Sequence, residues 1–186
     1  MKKATYLSMI AAVGLLGACQ SDRIEVTPSS NQEFLYYIRY TNFAWFATDQ
    51  GYYVDRDGQF YSFDLEGNPE LWEGPVDDRY SASDLRKNFA HNAQVEFQLA
   101  SDYVSDFAST AEKLVNAPIH DLDQYANDLG VYALYVLTYD PWTKKYTQHL
   151  IKMDSDHGFY ERDGKTARQV IQWLEDANRA AWQNDN

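Results

Sequence analysis

Residues 33–48 (EFLYYIRYTNFAWFAT) form the most apolar segment after the N-terminal leader. Phe34, Tyr36, Ile38 and Tyr40 interleave there with Leu35, Tyr37, Arg39 and Thr41. Such density of aromatic and β-branched side chains favours a strand. Ser30-x-x-Glu33, however, has the form of a capping box and leaves a helix start open. Residues 51–65 (GYYVDRDGQFYSFDL) are less ambiguous. Two alternating runs flank Arg56-Asp57-Gly58, and Gly58 can adopt the left-handed conformation of a tight turn, which predicts a hairpin. Gly67, Pro69, Gly74 and Pro75 then break the chain into loops around Trp72.

Residues 83–92 predict a short helix, with Leu85 and Phe89 four apart. Val95, Phe97 and Leu99 alternate too briefly to decide. Ser101 is a candidate N-cap for a second helix whose apolar stripe would hold Tyr103, Val104, Phe107, Ala111, Leu114 and Val115. Ile119, Leu122, Tyr125, Ala126 and Leu129 suggest a third, with Asp121 as its cap. Residues 131–139 (VYALYVLTY) are apolar on both faces and predict a central strand. Asp140-Pro141 would turn it, and residues 146–153 would return antiparallel. In residues 166–182, Ala167, Val170, Ile171, Leu174, Ala177 and Ala181 share one helical face, with Thr166-x-x-Gln169 as a possible capping box. Hairpins and helices segregated in this way predict an α+β fold: an antiparallel sheet packed against about three to four helices, in one domain.

The leader has a different pattern. Lys2 and Lys3 precede an apolar run from Ala4 to Leu16, followed by small residues and Cys19. A basic head, a short apolar middle and a small-residue site form the layout of a secretory signal. The apolar part falls short of the roughly 20 residues a spanning helix needs. Leu16-Gly17-Ala18-Cys19 resembles the lipobox of bacterial lipoprotein precursors, although Ala or Ser is commoner than Gly at position 17. The resemblance covers about a tenth of the chain. It implies cleavage after Ala18, a diacylglyceryl group on the Cys19 sulfur and, in Gram-negative relatives, acylation of the new amine. Each buried methylene contributes about 0.8 kcal/mol, so two or three acyl chains hold a protein at a membrane where one would not. Asp after the lipidated cysteine tends to retain such proteins in the inner membrane. Gln20 therefore implies the outer membrane, facing the periplasm; in a Gram-positive cell the anchor would sit on the outer face of the only membrane. The expected organisation is a signal peptide over 1–18, a lipidated N-terminus and polar tether over 19–32, and a globular domain over 33–186.

Charge narrows the partners. The full chain carries 16 basic and 28 acidic side chains. Loss of residues 1–18 removes Lys2 and Lys3 and no acid, leaving a net charge of −14. Such a surface repels phosphate backbones and anionic headgroups, which argues against nucleic acid and leaves membrane attachment to the lipid. Cys19 is the only cysteine, so no intrachain disulfide can form. Stability must come from packing, for which the mature length suffices.

Candidate chemistry is sparse. The sequence has no Gly-x-Ser-x-Gly, His-Glu-x-x-His, Cys-x-x-Cys or glycine-rich phosphate loop. Asp154, Asp156 and Glu161 crowd a stretch read as a loop beside His157, and oxygen-rich loops can hold calcium. Their spacing does not match the twelve-residue calcium loop, and no cofactor is expected. His120-Asp121-x-Asp123 could place a carboxylate beside an imidazole, with His91, His149 and His157 elsewhere. Aromatic residues make up 16% of the chain. Trp72 and Trp142, in predicted loops beside proline, are the rings expected to be exposed and to line a ligand site, whereas Tyr36, Tyr37 and Tyr135 are expected in the core. These readings favour a lipid-anchored envelope domain that binds a protein or glycan partner without catalysis. The rivals are a small envelope hydrolase using Asp, Glu and His, and a calcium-stabilised binding module.

Overall fold

The computed structural model describes residues 23–27, 29–44, 47–122, 130–156 and 158–184. Cys19, Trp45, Asp123, His157 and the latter half of the expected third helix lie outside the described residues. The strands are β1 (Phe34–Asn42), β2 (Thr48–Asp55), β3 (Gln59–Asp64), β4 (Arg79–Ser81), β5 (Gln94–Gln98), β6 (Ile119–Asp121), β7 (Val131–Asp140), β8 (Lys145–Ser155) and β9 (Gly158–Arg162). The helices are α1 (Ala82–Ala90), α2 (Asp102–Ser105), α3 (Phe107–Val115) and α4 (Lys165–Asn184). The described strands form one sheet in the order β5-β3-β2-β1-β7-β8-β9-β6, with β4 added to β8. Every pairing is antiparallel. With helices on both faces, the fold is α+β, as expected.

The apolar segment after residue 33 is a strand, and its mixed parity has a cause. β1 lies between β2 and β7, so both its faces are covered. A register shift between Phe34 and Tyr36 turns the consecutive Leu35 and Tyr36 to the same side. Phe34 and Tyr37 face the other. The β2–β3 hairpin turns where expected. Gly58 has φ +82, and a Cβ there would come within 2.6 Å of the Leu99 carbonyl oxygen. The Asp55 carboxylate accepts the N–H groups of Asp57 and Gln59 across the turn. β7 is central, between β1 and β8.

Several expectations are corrected. The second helix starts from Ser101, which accepts the Tyr103 N–H, but breaks at Asp106 into α2 and α3. Ile119 to Asp121 are not the start of a helix; they form β6, opposite Arg162, Glu161 and Tyr160. The i, i+3 spacing of Ile119 and Leu122 is outweighed by the main-chain pairing that β9 offers. Residues 153–161 are not a loop but a hairpin, with Ser155 opposite Gly158. α1 begins one residue before its expected start, on a reciprocal capping box between Ser81 and Asp84. α4 begins at Lys165, placing Thr166 inside its first turn rather than at the cap.

The sheet separates two cores. On one side α3 and α4 bury Phe107, Ala111, Leu114, Val115 and all six apolar residues expected of the last helix. On the other, α1 contributes Leu85 and Phe89 to a cluster dominated by rings: Phe34, Tyr37, Phe63, Tyr80 and Tyr146. The polar stretch before β1 runs along the body. Gln32 is buried and donates to the Phe34 and Leu137 carbonyls, and Val26 packs against the first core.

Candidate functional site

The α1 face owes its chemistry to tyrosine. Tyr53 stacks between Tyr61 at 4.7 Å and Phe89 at 4.6 Å, and Tyr37 stacks on Tyr135 at 4.6 Å. Each ring supplies apolar area and a polar tip, so this core can be wide without stranding polar atoms. The Tyr146 hydroxyl, for example, accepts the Glu33 N–H at 2.6 Å. Among the described residues, no buried polar side-chain atom lacks a hydrogen-bond partner. α1 has only nine residues, about 13 Å of helix, and cannot cover the whole face. Two concavities open on this face, one beside α1 and one beside Trp72.

The larger is an open groove of about 740 Å³ floored by Phe34, Tyr53, Tyr61 and Tyr139. Its charges are largely held. Arg86 grips the Glu33 carboxylate with two N–H donors, one of them at 2.8 Å, and that grip lowers the Glu33 pKa. Glu33 is therefore ionised at neutral pH and is a poor proton donor. Arg56 donates to the Ser30 carbonyl at 2.6 Å, and the Asp55 carboxylate is engaged by the hairpin turn. Burial pushes the Tyr53 phenol up to about 12, so it stays protonated. Lys144 closes one rim.

Lys144 belongs to the β7–β8 turn, which displays Trp142. The Asp140 carboxylate accepts the Trp142 N–H at 2.8 Å and the Thr143 hydroxyl at 2.7 Å, while the Lys144 N–H bonds to the Asp140 carbonyl. Chiefly through Thr143 and then Trp142, these bonds lower the Asp140 pKa. Trp142 is 91% exposed, as expected from its sequence position. A large ring held out by a braced turn loses little conformational freedom when a partner covers it.

The smaller concavity, about 300 Å³, lies beside Trp72. Here an expectation fails: Trp72 is half-buried and packed into the ring cluster. The fully buried Asn88 side chain of α1 clamps both the N–H and the carbonyl of Glu73, pinning the loop to that helix. The Arg39 guanidinium lies 4.0 Å from the Trp72 ring centroid, and the indole N–H donates to the Tyr80 hydroxyl at 3.3 Å. Arg39 also forms a two-pronged bridge to Asp49, at 2.8 and 2.6 Å. Asp49 is fully buried, so its charge relies on this cation.

The other candidates do not converge. Asp154 pairs with Lys152 at 3.2 Å, and Lys152 also reaches Glu175 of α4 at 2.7 Å. Glu161 lies in β9, in register with Lys152 and His120, and Asp156 is at the hairpin tip. Among the described residues, no group of three His, Cys, Asp or Glu side chains is arranged to hold a metal. His120 lies 3.9 Å from Asp163. His149 bonds Thr138 at 2.9 Å, and burial, reinforced by Arg162, lowers its pKa to about 4.

The groove charges and the Arg39–Asp49 bridge escaped sequence reasoning. One signal was present: Arg39 is the only basic residue in residues 33–48, and a lone charge in an apolar strand requires a partner. Nothing comparable links Glu33, Arg56, Arg86 and Lys144, which come from four separate stretches of the chain. No family model, curated protein or solved structure matches this chain, so its function rests on its own residues.

Proposed function

We propose that this is a lipid-anchored envelope protein, attached through Cys19 to the outer membrane and facing the periplasm, that binds a protein or glycan partner without transforming it. The observation that carries the binding reading is the braced, exposed Trp142 on the turn whose Lys144 lines an open groove of rings. Rings with hydroxyl tips suit either a peptide side chain or the face of a sugar. The groove carboxylates whose partners are visible are held by Arg86 or by a turn, an arrangement for fixed charge rather than proton transfer. The anchoring reading is supported by Leu16-Gly17-Ala18-Cys19 behind a basic and apolar leader, and by Gln20. Among the described residues, no helix is long and apolar enough to cross a membrane.

Metabolic labelling with radioactive palmitate tests the anchor. The parent protein is expected to take up label, and Cys19→Ser to take up none. Label persisting in Cys19→Ser, or absent from the parent, would refute it.

A further inference from the structure

The chain leaves the domain at a defined place. The Asn116 side chain, just after α3, accepts the Ile24 N–H at 2.9 Å and donates to the Ile24 carbonyl at 2.7 Å. Arg23 pairs with Glu112 at 2.7 Å. Cys19 stands four residues before Arg23, and four residues span at most about 14 Å. A lipid on Cys19 would hold this side of the domain within one short reach of the bilayer.

That side is also locally apolar. Arg162 donates to the Val115 and Ala117 carbonyls and fixes the turn from α3 into β6, so Ile119 follows three residues after Asn116. The Leu122 N–H then bonds to the Phe159 carbonyl and continues the edge. Ile24, Ile119 and Leu122 are 42%, 43% and 40% exposed. Nearby ion pairs join opposite signs, Arg23 with Glu112 and Arg168 with Asp163. A contact here would not depend on anionic lipid, which suits a chain of net negative charge.

We propose that the β6 edge, through Ile24, Ile119 and Leu122, rests on the lipid surface, so that the sheet stands on its edge with β5 outermost. This rests on the anchoring at Cys19 proposed above. β5 is seven strand spacings from β6, roughly 30 Å at about 4.8 Å each. It carries Val95, an apolar side chain that is 62% exposed and so serves as a control.

The test uses full-length acylated protein in phosphatidylcholine vesicles that contain a headgroup nitroxide lipid. Cys19 is the only native cysteine, and acylation blocks its thiol, so Ile119→Cys and Val95→Cys each accept a single fluorophore. At least threefold stronger quenching at position 119 than at 95 is expected. Equal quenching at both positions, or none at either, with the lipid confirmed by intact mass, would overturn the orientation alone. Absence of lipid mass from the parent protein would overturn the anchoring and the orientation with it.

Discussion

The two faces of the sheet solve the same packing problem with different materials. On the α3/α4 side, α4 is twenty residues long, about 30 Å, and buries alanines and branched aliphatics against Ile38, Val54, Val136 and Ile151. On the α1 side, a helix less than half that length leaves the area to tyrosine, phenylalanine and tryptophan. The α3/α4 core includes rings as well, Tyr36, Tyr52, Phe60 and Phe107, and concavities of about 540 and 240 Å³ open beside Trp182 near the end of α4. Ring packing under a short helix leaves two concavities and brings phenol tips, Arg39 and the Glu33–Arg86 bridge to them. The α1 face differs in the fixed charges it sets against its rings, Arg39 over Trp72 and Glu33 held by Arg86.

The comparison breaks most sharply at Phe89, which touches the rings of Phe34, Tyr37, Tyr53, Phe63 and Trp72. Phe89→Ala is expected to lower the unfolding free energy by about 3–5 kcal/mol in urea titrations. Leu174→Ala, on the aliphatic side, should cost about 2–5 kcal/mol but leave the groove intact. Arg39→Met strands the buried Asp49 charge and should cost about 3–5 kcal/mol. Adding Asp49→Leu to Arg39→Met is expected to recover much of that loss, since an apolar pair strands nothing. If the double variant is no better than the single one, the bridge is not what the site needs.

Acid provides a milder probe. His149 is held neutral down to about pH 4 in the folded chain, against 6.5 for an unperturbed histidine. The unfolded chain binds this proton first, so stability is intact above pH 6.5 and falls as pH drops toward 4. The loss is on the order of 3 kcal/mol at 1.36 kcal/mol per pKa unit. In His149→Gln this part of the pH dependence should vanish, as read from denaturant midpoints at pH 7 and pH 4.5. The smallest effect is expected at Trp142. Trp142→Ala should change stability by no more than about 0.5 kcal/mol, because an exposed ring supports nothing beneath it.

The same contrast explains what the sequence made legible. Long periodic segments were readable because one period ran for many residues: the Ala167-to-Ala181 stripe of α4, the doubly apolar β7, and the alternation around Arg56-Asp57-Gly58. β6 and β9 were not, since three and five residues carry too little periodicity; β9 forms by pairing with β8, and β6 by pairing with β9. Trp72 was misjudged because its loop composition says nothing of Asn88, sixteen residues away, which pins that loop down. The groove was invisible for a related reason: it is a product of strand order, assembled from residues that no local spacing connects.

Photocrosslinking in cells compares the faces directly. A benzophenone amino acid is placed at position 142, on the turn that also carries the groove residue Lys144, or at Gln172, exposed on the outer side of α4. A discrete adduct from position 142, absent from position 172, is the expected result. Adducts at both positions alike, or at position 172 alone, would contradict the assignment of binding to the aromatic face.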